Sequence, residues 1–324
     1  MTTPPTTAPA DVPPPDAAPA DTVIALDVGG SRLKGAVVDA GGTAAATVEW
    51  RLTPEDGADA VVTSVLSALV NLRHHPAAAH ARAAGLAVPG LVDTTSGRAI
   101  WSENLRWNDV PIRALAEERT GLPVALGHDV RAGGLAEVRA GAARGADHAL
   151  VVPVGTGIAA AIVVDGMVID GRGLAGELGH VDVGYDEPCA CGARGCTEAV
   201  ASAAAIARRY TRRCGLAVDG AADVLERKHA GDPDAEAVWA EAIDALSRAL
   251  ATACSLLAPE VVVIGGGLAK AGAELFDPLS DRLAGRLTFQ DLPRIVPAAL
   301  GDRAGCIGAA MMARDLVERG GTHS

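Results

Sequence analysis

The sequence predicts an α/β fold in which two domains are each built around a mixed sheet. Its 324 residues are enough for two domains with cores of ordinary size. Two hairpins, each with a glycine-rich turn between short apolar runs, occur at Val23–Asp39 and Leu150–Val164. Helices and strands alternate after each hairpin, and the second hairpin echoes the first as an internal repeat.

The individual elements follow from apolar periodicity and from the glycines and prolines that interrupt it. In the N-terminal half we predict strands at Val23–Asp27, Leu33–Asp39, Thr43–Arg51, Ala84–Val88 and Pro123–Leu126, and helices at Ala58–Leu72, Val110–Thr120 and Val130–Ala142. In the C-terminal half we predict strands at Leu150–Val154, Ile158–Val164 and Val261–Ile264, and helices at Pro233–Leu257, about Leu268–Leu287, and Gly305–Arg319. The helix at Pro233 is the clearest, because Asp232 is placed to cap it and proline suits its first position.

Charge and composition exclude several classes of partner. With 28 basic and 40 acidic residues the chain carries a formal charge of −12, which disfavours nucleic acid and anionic membranes. No run reaches the roughly 18 apolar residues of a membrane-spanning helix. Residues 1–21 contain seven prolines and no lysine or arginine, so they fit neither a secretory signal nor a domain. We therefore expect a soluble cytoplasmic protein with a disordered N-terminal tail.

Two glycine-rich turns are candidates for binding phosphate. In the segment Asp27–Arg32 the glycines leave backbone amides open to an anion, and Ser31 adds a hydroxyl donor. Taken alone, this segment is equally well explained as an ordinary tight turn. Gly155–Gly157, in the second hairpin, has the same chemistry, which favours the phosphate loop because two opposed loops can clamp a polyphosphate without a lysine. Neither turn has a Rossmann or Walker pattern.

A histidine and three cysteines have the residue types and spacing of zinc ligands. Eight residues separate His180 from Cys189, one separates Cys189 from Cys191, and four separate Cys191 from Cys196. Imidazole and thiolates are preferred zinc ligands, and four of them complete a closed tetrahedral site. The alternative, three buried free cysteines, is difficult to fit within eight residues that include glycines. We predict a structural Zn²⁺ that leaves no coordination position for water.

Three acidic residues are candidates for recognising or activating hydroxyl groups. Glu177 precedes His180 by three residues and Glu198 follows Cys196 by two, so a loop held by zinc would keep both acids near one another. Such a pair suits vicinal hydroxyls, although solvated surface charge is the alternative for each. Asp129, between a strand and a helix, is either a general base for an alcohol or the cap of that helix.

Together these segments resemble the ROK family of bacterial sugar kinases and regulators. The resemblance runs from about Val23 to Arg319 and is carried by DVGGSRLKGAVVD, VPGLVD, NLRWNDVP, HDVRAGGLAE, VGTGIAAAIVVDG, GLAGELGHVDV, CACGARGCTE, PEVVVIGGGLAKAG and GDRAGCIGAA. It implies the actin-like (ribonuclease H-like) ATPase fold, with two α/β domains around a deep cleft and the last helix returning to the first domain. We accordingly place the tail at 1–21, one domain at 22–140 plus 308–320, and the larger domain at 141–307.

The resemblance also implies that a homodimer phosphorylates a hexose, usually at the 6-hydroxyl, with ATP and Mg²⁺. Asp129 matches the catalytic base and Asp27 the acid that holds hydrated Mg²⁺. The other positions that match ATP-binding residues are Gly29, Gly30, Ser31, Arg32, Gly155, Thr156, Gly157, Gly265, Gly266 and Gly267. The positions that match sugar-binding residues are Gly90, Asn104, His128, Asp129, Glu177, His180 and Glu198. His180 would then contact both the zinc ion and the sugar.

One departure from the family pattern bears on the substrate. His128 stands where the family usually has asparagine, which offers a donor and an acceptor to the 3- and 4-hydroxyls of a sugar. Histidine is bulkier and can carry a charge. Milder departures are Ser31-Arg32 in place of Thr-Lys and Ile158–Ala161 in place of glycines. Glucose is the first expectation, and an amino or modified hexose such as kanosamine is the alternative.

Two functions of another class compete with the kinase. Repressors of the family carry a winged-helix segment before the first glycine loop, but only about 22 residues, rich in Pro and Ala, precede that loop here, so we expect no such segment. The other competitor is a non-catalytic sugar sensor. The presence of Asp129 argues against it.

Overall fold

A computed structural model describes residues 21–321 of the chain. The strands are β1 (Thr22–Val28), β2 (Arg32–Val38), β3 (Ala44–Arg51), β4 (Ala81–Val88), β5 (Leu91–Asp93), β6 (Arg98–Ser102), β7 (Trp107–Val110), β8 (Val124–His128), β9 (Ala149–Pro153), β10 (Ala161–Val164), β11 (Met167–Val168), β12 (Val261–Gly265) and β13 (Arg294–Pro297). The α-helices are α1 (Ala58–Arg73), α2 (Ile112–Thr120), α3 (Asp129–Ala140), α4 (Thr197–Ala201), α5 (Ala203–Cys214), α6 (Ala221–His229), α7 (Pro233–Leu257), α8 (Ala273–Ala284) and α9 (Ala304–Gly321). The tail predicted at 1–21 lies outside the described residues, except for Asp21. Between residues 21 and 321, no helix is both long enough and apolar enough to span a membrane.

The first sheet has the strand order β3-β2-β1-β4-β8, with β1, β4 and β8 parallel and β2 and β3 antiparallel to their neighbours. Side chains alternate along β1, so that Ile24 and Leu26 lie in the core with α1 and α2, while Ala25 lies in the core with α9. On the α9 side the backbones approach closely: a Cβ at Gly85 would lie 1.8 Å from the Ala309 carbonyl oxygen. The last helix therefore packs on the first sheet.

The second sheet has the order β11-β10-β9-β12-β13, in which β9, β12 and β13 are parallel. One face packs against α7 through residues such as Trp239 and Leu246. The other face packs against α3, where a Cβ at Gly134 would lie 2.2 Å from Ala161 Cβ. Because α3 also packs on α9, it is the helix that joins the two sheets.

The strongest local signals predicted their elements well, and weaker ones did not. Helix α7 has the predicted bounds, and Asp232 Oδ1 caps it by accepting from the amide of Asp234 at 2.9 Å. The helix predicted from Leu268 is wrong in its first turn, because Gly272, with φ +57°, separates a short 3-10 segment from α8. The helix predicted from Val110 begins at Ile112, since Val110 ends β7. Sequence reasoning missed the small sheet β5-β6-β7 and helices α4 to α6.

Candidate active site

A cavity of about 250 Å³ lies where the carboxyl ends of strands from the two sheets meet. The predicted site residues that line it are Asp27, Gly29, Asp129, Gly265 and Gly266. Each follows or ends a central strand: β1, β8 or β12. Ligands bind at this edge in open α/β sheets, because loops there can change without disturbing the core.

Asp27 lies at the end of β1, against the first turn of α9. A Cβ at Gly305 would lie only 2.6 Å from the carboxylate carbon of Asp27, so glycine is what allows the helix to approach. Burial, followed by the negative charge of Asp129, raises the pKa of Asp27 to about 7, although Lys34 acts in the opposite direction. The site therefore disfavours an ionised Asp27 until a positive charge arrives beside it.

This raised pKa leads to a prediction about stability. Between pH 4 and 7 the carboxyl of Asp27 is ionised in the unfolded chain but protonated in the folded one, so the folded protein loses stability as pH rises. We expect Asp27→Asn to remove this loss and to raise the Tm of the ligand-free protein by a few °C at pH 8, but not at pH 4. Thermal melts from pH 4 to 8 in EDTA measure the effect. Asp165→Asn, in an exposed turn, is the control, and parallel curves for Asp27→Asn and wild type would contradict the prediction.

His128 and Asp129 join β8 to α3, and the structure decides which of them caps the helix. His128 occupies the cap position, and its Nδ1 accepts the amide hydrogen of Val130 at 3.2 Å. Asp129 is the first helical residue, and its Oδ1 accepts from the same amide at 2.7 Å. The Asp129 side chain stays 28% exposed, which leaves its carboxylate accessible from the cavity. The helix cap is thus supplied by the histidine.

His128 is held as a neutral ring. Burial lowers its pKa and Arg131 lowers it further, whereas Asp129, Glu177 and Asp170 act in the opposite direction. Because Nδ1 accepts a hydrogen bond, the proton of the neutral ring is on Nε2. His128 therefore offers one N–H donor to whatever lies beyond it.

The first glycine turn is closed by the amide of Gly29, which donates to the Arg32 carbonyl at 2.8 Å. Gly30 faces Asn104, in the turn between β6 and β7: a Cβ at Gly30 would lie 3.9 Å from Asn104 Cβ. The structure does not bring Ser31 or Arg32 into the cavity lining. The Arg32 side chain is 70% exposed and faces Glu49 at 4.0 Å.

Gly90, at the start of the small sheet, is a position that requires glycine. Its φ is +96°, and a Cβ there would lie 2.2 Å from the carbonyl oxygen of Trp101. The small sheet that follows carries Asn104 to the first glycine turn. Gly90 and Asn104, two predicted sugar-binding residues, are thus connected through a sheet that the sequence reading did not detect.

The second glycine turn is tied to Glu198. The amide of Ile158 donates to Glu198 Oε2 at 2.8 Å, and a Cβ at Gly157 would lie 2.7 Å from the same oxygen. Thr156 and Glu198 line a second cavity of about 380 Å³ next to Cys189. Gly266 packs on the same hairpin, since a Cβ there would meet the Val154 carbonyl oxygen at 2.4 Å. The predicted second phosphate loop, Gly155–Gly157, and the Gly265–Gly267 loop are therefore neighbours.

The four predicted zinc ligands come together. The ligand atoms of His180, Cys189, Cys191 and Cys196 all lie within 4.8 Å of one another. Cys191 Sγ is 3.7 Å from Cys196 Sγ, and Cys189 Sγ is 3.8 Å from His180 Nδ1. Zinc bonds of about 2.3 Å to sulfur and about 2.0 Å to nitrogen, at tetrahedral angles, give ligand separations of about 3.5–3.8 Å. The donor atoms thus fit a tetrahedral ion.

The opposite side of the His180 ring faces an acid. His180 Nε2 lies 3.9 Å from Glu177 Oε2, while Nδ1 faces the cysteines. A metal on Nδ1 would leave the proton on Nε2, so that this nitrogen would donate towards Glu177 or a nearby ligand. The ring has the geometry for the two contacts expected of it.

Sequence reasoning missed Glu137, which supports the cavity from below. This side chain is 1% exposed, and its carboxylate accepts from the amides of Ala142 at 2.7 Å and Leu300 at 2.8 Å. It thereby fixes the loop before α9. A signal was present, because Asp129, Gly133 and Glu137 are four residues apart on one helix face, and all three line the cavity.

Comparisons with known proteins agree with this geometry. The sequence model of the ROK family matches residues 23–316. The chain belongs to the ROK family. A glucokinase from Halalkalibacterium halodurans is 33% identical to it over 315 residues, which cover 90% of this chain and 94% of that protein. Xylose repressors are among its other relatives.

Solved ROK structures have the same fold. The ROK hexokinase from Thermus thermophilus gives a TM-score of 0.82 at 33% identity, covering 92% of this chain and 99% of that one. A ROK family glucokinase from Streptomyces griseus, in complex with glucose and AMPPNP, gives a TM-score of 0.77 at 29% identity, covering 91% and 99%. The predicted actin-like ATPase fold is confirmed.

Proposed function

We propose that this ROK protein transfers a phosphoryl group from ATP to a hexose, at the 6-hydroxyl. The observation that carries the proposal is the single cavity lined by Asp27, Asp129 and the glycine loops that follow β1 and β12. It contains a candidate base, a candidate cation ligand and open backbone amides, which are the parts that phosphoryl transfer requires. The ROK glucokinase from Streptomyces griseus, with its bound glucose and AMPPNP, supports the choice of both substrates.

Each part of the cavity has a role in this reaction. Asp129 accepts the proton of the attacking hydroxyl, with its carboxylate oriented by the Val130 amide. Asp27 holds Mg²⁺ through water, and its oxygen donors and raised pKa fit a divalent cation. The cation, when bound, neutralises charge on the phosphates. The remaining phosphate and nucleotide positions, as proposed, are Gly29, Gly30, Ser31, Arg32, Gly155, Thr156, Gly157, Gly265, Gly266 and Gly267.

The sugar lies, in this proposal, between the small sheet and the zinc loop. Its contacts are the residues named from the resemblance: Gly90, Asn104, His128, Asp129, Glu177, His180 and Glu198. A structural Zn²⁺ on His180, Cys189, Cys191 and Cys196 holds the last two near the sugar, because His180 is a ligand and Glu198 begins two residues after Cys196. The domain boundaries at 140 and 308 and the homodimer stay predictions.

An amino hexose such as kanosamine is the second candidate substrate, and His128 is the observation that favours it. The carboxylates of Asp129, Asp170 and Glu177 all act on this ring and would favour a cationic substituent close to it. Turnover of glucose, mannose, N-acetylglucosamine and kanosamine in a coupled ADP-release assay tests both candidates. No turnover of any hexose would contradict the kinase, and glucose turnover far above that of kanosamine would contradict the second candidate.

Replacing His128 tests its part in choosing the sugar. We expect His128→Asn to raise the ratio of kcat/KM for glucose to that for kanosamine by about tenfold, because an amide returns an acceptor and a donor to the 3- and 4-hydroxyls. The same coupled assay measures the ratio. His80→Asn, at an exposed position, is the matched control. A ratio that stays within twofold of wild type would show that His128 does not select the sugar.

A further inference from the structure

Arg131 is a buried arginine that the proposed mechanism does not use. It lies two residues after Asp129 in α3, and only 8% of its side chain is exposed. Its Nη1 donates to the carbonyl of Gly173 at 3.2 Å and is 3.5 Å from that of Ala175. Its Nη2 lies 3.5 Å from Asp170 Oδ1 and has no hydrogen-bond partner among the described residues. Burying a guanidinium is costly unless it is paired, so these contacts need an explanation beyond packing.

The segment that Arg131 contacts, residues 170–176, has an unusual backbone. Positive φ angles occur at Gly171, Arg172, Gly173 and Gly176, with values of 57°, 58°, 83° and 94°. Left-handed conformations are sparsely populated, above all for a residue with a side chain such as Arg172, and they persist only when surrounding contacts hold them. Asp170 supplies one such contact, since its Oδ2 accepts from the Gly173 amide at 2.9 Å. The carbonyl contacts of Arg131 supply others from outside the segment.

Glu177 follows this segment directly, and its neighbour Gly176 is wedged in place. A Cβ at Gly176 would lie 1.8 Å from the carbonyl oxygen of Ala160, and the Ala160 amide donates to the Gly176 carbonyl at 2.7 Å. The segment is thus fixed at one end by Ala160, beside the second glycine turn, and at the other by Arg131 from α3. Its geometry connects the helix that begins at Asp129 to Glu177.

We propose that Arg131 is a positioning residue that ties segment 170–176, and with it Glu177, to the helix that carries Asp129. The inference rests on the proposed function, in which Glu177 contacts the sugar and Asp129 accepts the hydroxyl proton. A fixed tie between them sets where the sugar lies relative to the base, and small misplacements of a bound reactant reduce rates strongly. Arg131 itself touches neither substrate in this proposal.

Substitutions of Arg131 test the tie through the kinetics of each substrate. We expect Arg131→Met to raise KM for the sugar by about tenfold, the size of one or two lost hydrogen bonds, and to leave KM for ATP within twofold. Arg131→Lys should recover part of the loss, because an ammonium can still reach a carbonyl. Arg139→Met is the matched control: it removes an arginine from the same helix, where Arg139 pairs with Asp315 at 2.7 Å, and should change neither KM.

Hydrogen–deuterium exchange of residues 171–178 gives a readout that does not depend on activity. Arg131→Met should accelerate exchange there by about tenfold, while Arg139→Met should match wild type. A folded Arg131→Met protein with unchanged sugar KM, or with unchanged exchange, would overturn the proposal. If Arg131→Met does not fold, Asp170→Asn takes its place, since that side chain is 43% exposed, and the same two outcomes decide. A wild-type protein inactive on every hexose would instead contradict the proposed function, and exchange would still test the tie.

Discussion

Replacing Asp129 by asparagine is expected to lower kcat on the preferred hexose by about a thousandfold, the middle of the range for a lost general base. Asparagine keeps the size of the side chain and an oxygen that can accept from the Val130 amide, so the start of α3 should survive. The KM values for sugar and ATP should change little, because Asp129 acts mainly on the proton that leaves in the transition state. Coupled ADP-release kinetics with saturating ATP measure the loss.

Two comparisons make this result decisive. Asp165→Asn is an identical chemical change in an exposed turn and should leave kcat unchanged. The Tm of Asp129→Asn should lie close to that of wild type, which separates a catalytic loss from unfolding. Turnover within tenfold of wild type in a folded Asp129→Asn protein would mean that Asp129 is not the base, and a role as sugar sensor would then gain support.

The parts of the fold that the sequence predicted are those with strong local signals. Helix α7 has a cap, a proline at its first position and a continuous apolar stripe, and its bounds are as predicted. Strands β5 to β7 have three to five residues each, and half-exposed residues such as Trp101 and Asp109 obscure their alternation. The missed break in α8 depends on the positive φ of Gly272, whereas glycine within an apolar pattern also occurs inside helices.

The same distinction explains the site. Cysteine spacing fixed the metal cluster because all four ligands lie within 17 residues of one another, from 180 to 196. Contacts between distant segments left no local pattern: the bond from the Ile158 amide to Glu198 spans 40 residues, and that from Leu300 to Glu137 spans 163. The departure at His128 was visible in the sequence, but its role as a helix cap, and hence its tautomer, required the structure.

Removing the zinc site is expected to destabilise the protein and to weaken sugar binding together. We expect about one zinc per chain in the purified protein, and its loss in Cys191→Ser. Because structural zinc contributes directly to folding, the Tm should fall by about 5 °C or more. The KM for sugar should rise by about tenfold or more, since His180 and Glu198 flank the cysteines and lose their orientation. Metal analysis, thermal melts and sugar kinetics on one preparation measure all three effects.

Cys191 is the informative ligand to replace because it is the exposed cysteine of the cluster. Without a metal, serine at an exposed position would cost little, so a large loss of stability must come through the ion. Cys214→Ser is the matched control, because Cys214 is also partly exposed and lies outside the cluster. A purified protein that contains no metal, yet has full activity and the same Tm as Cys191→Ser, would contradict the zinc site. The four side chains would then be free thiols beside a histidine, and Glu198 would depend for its position on the Ile158 amide.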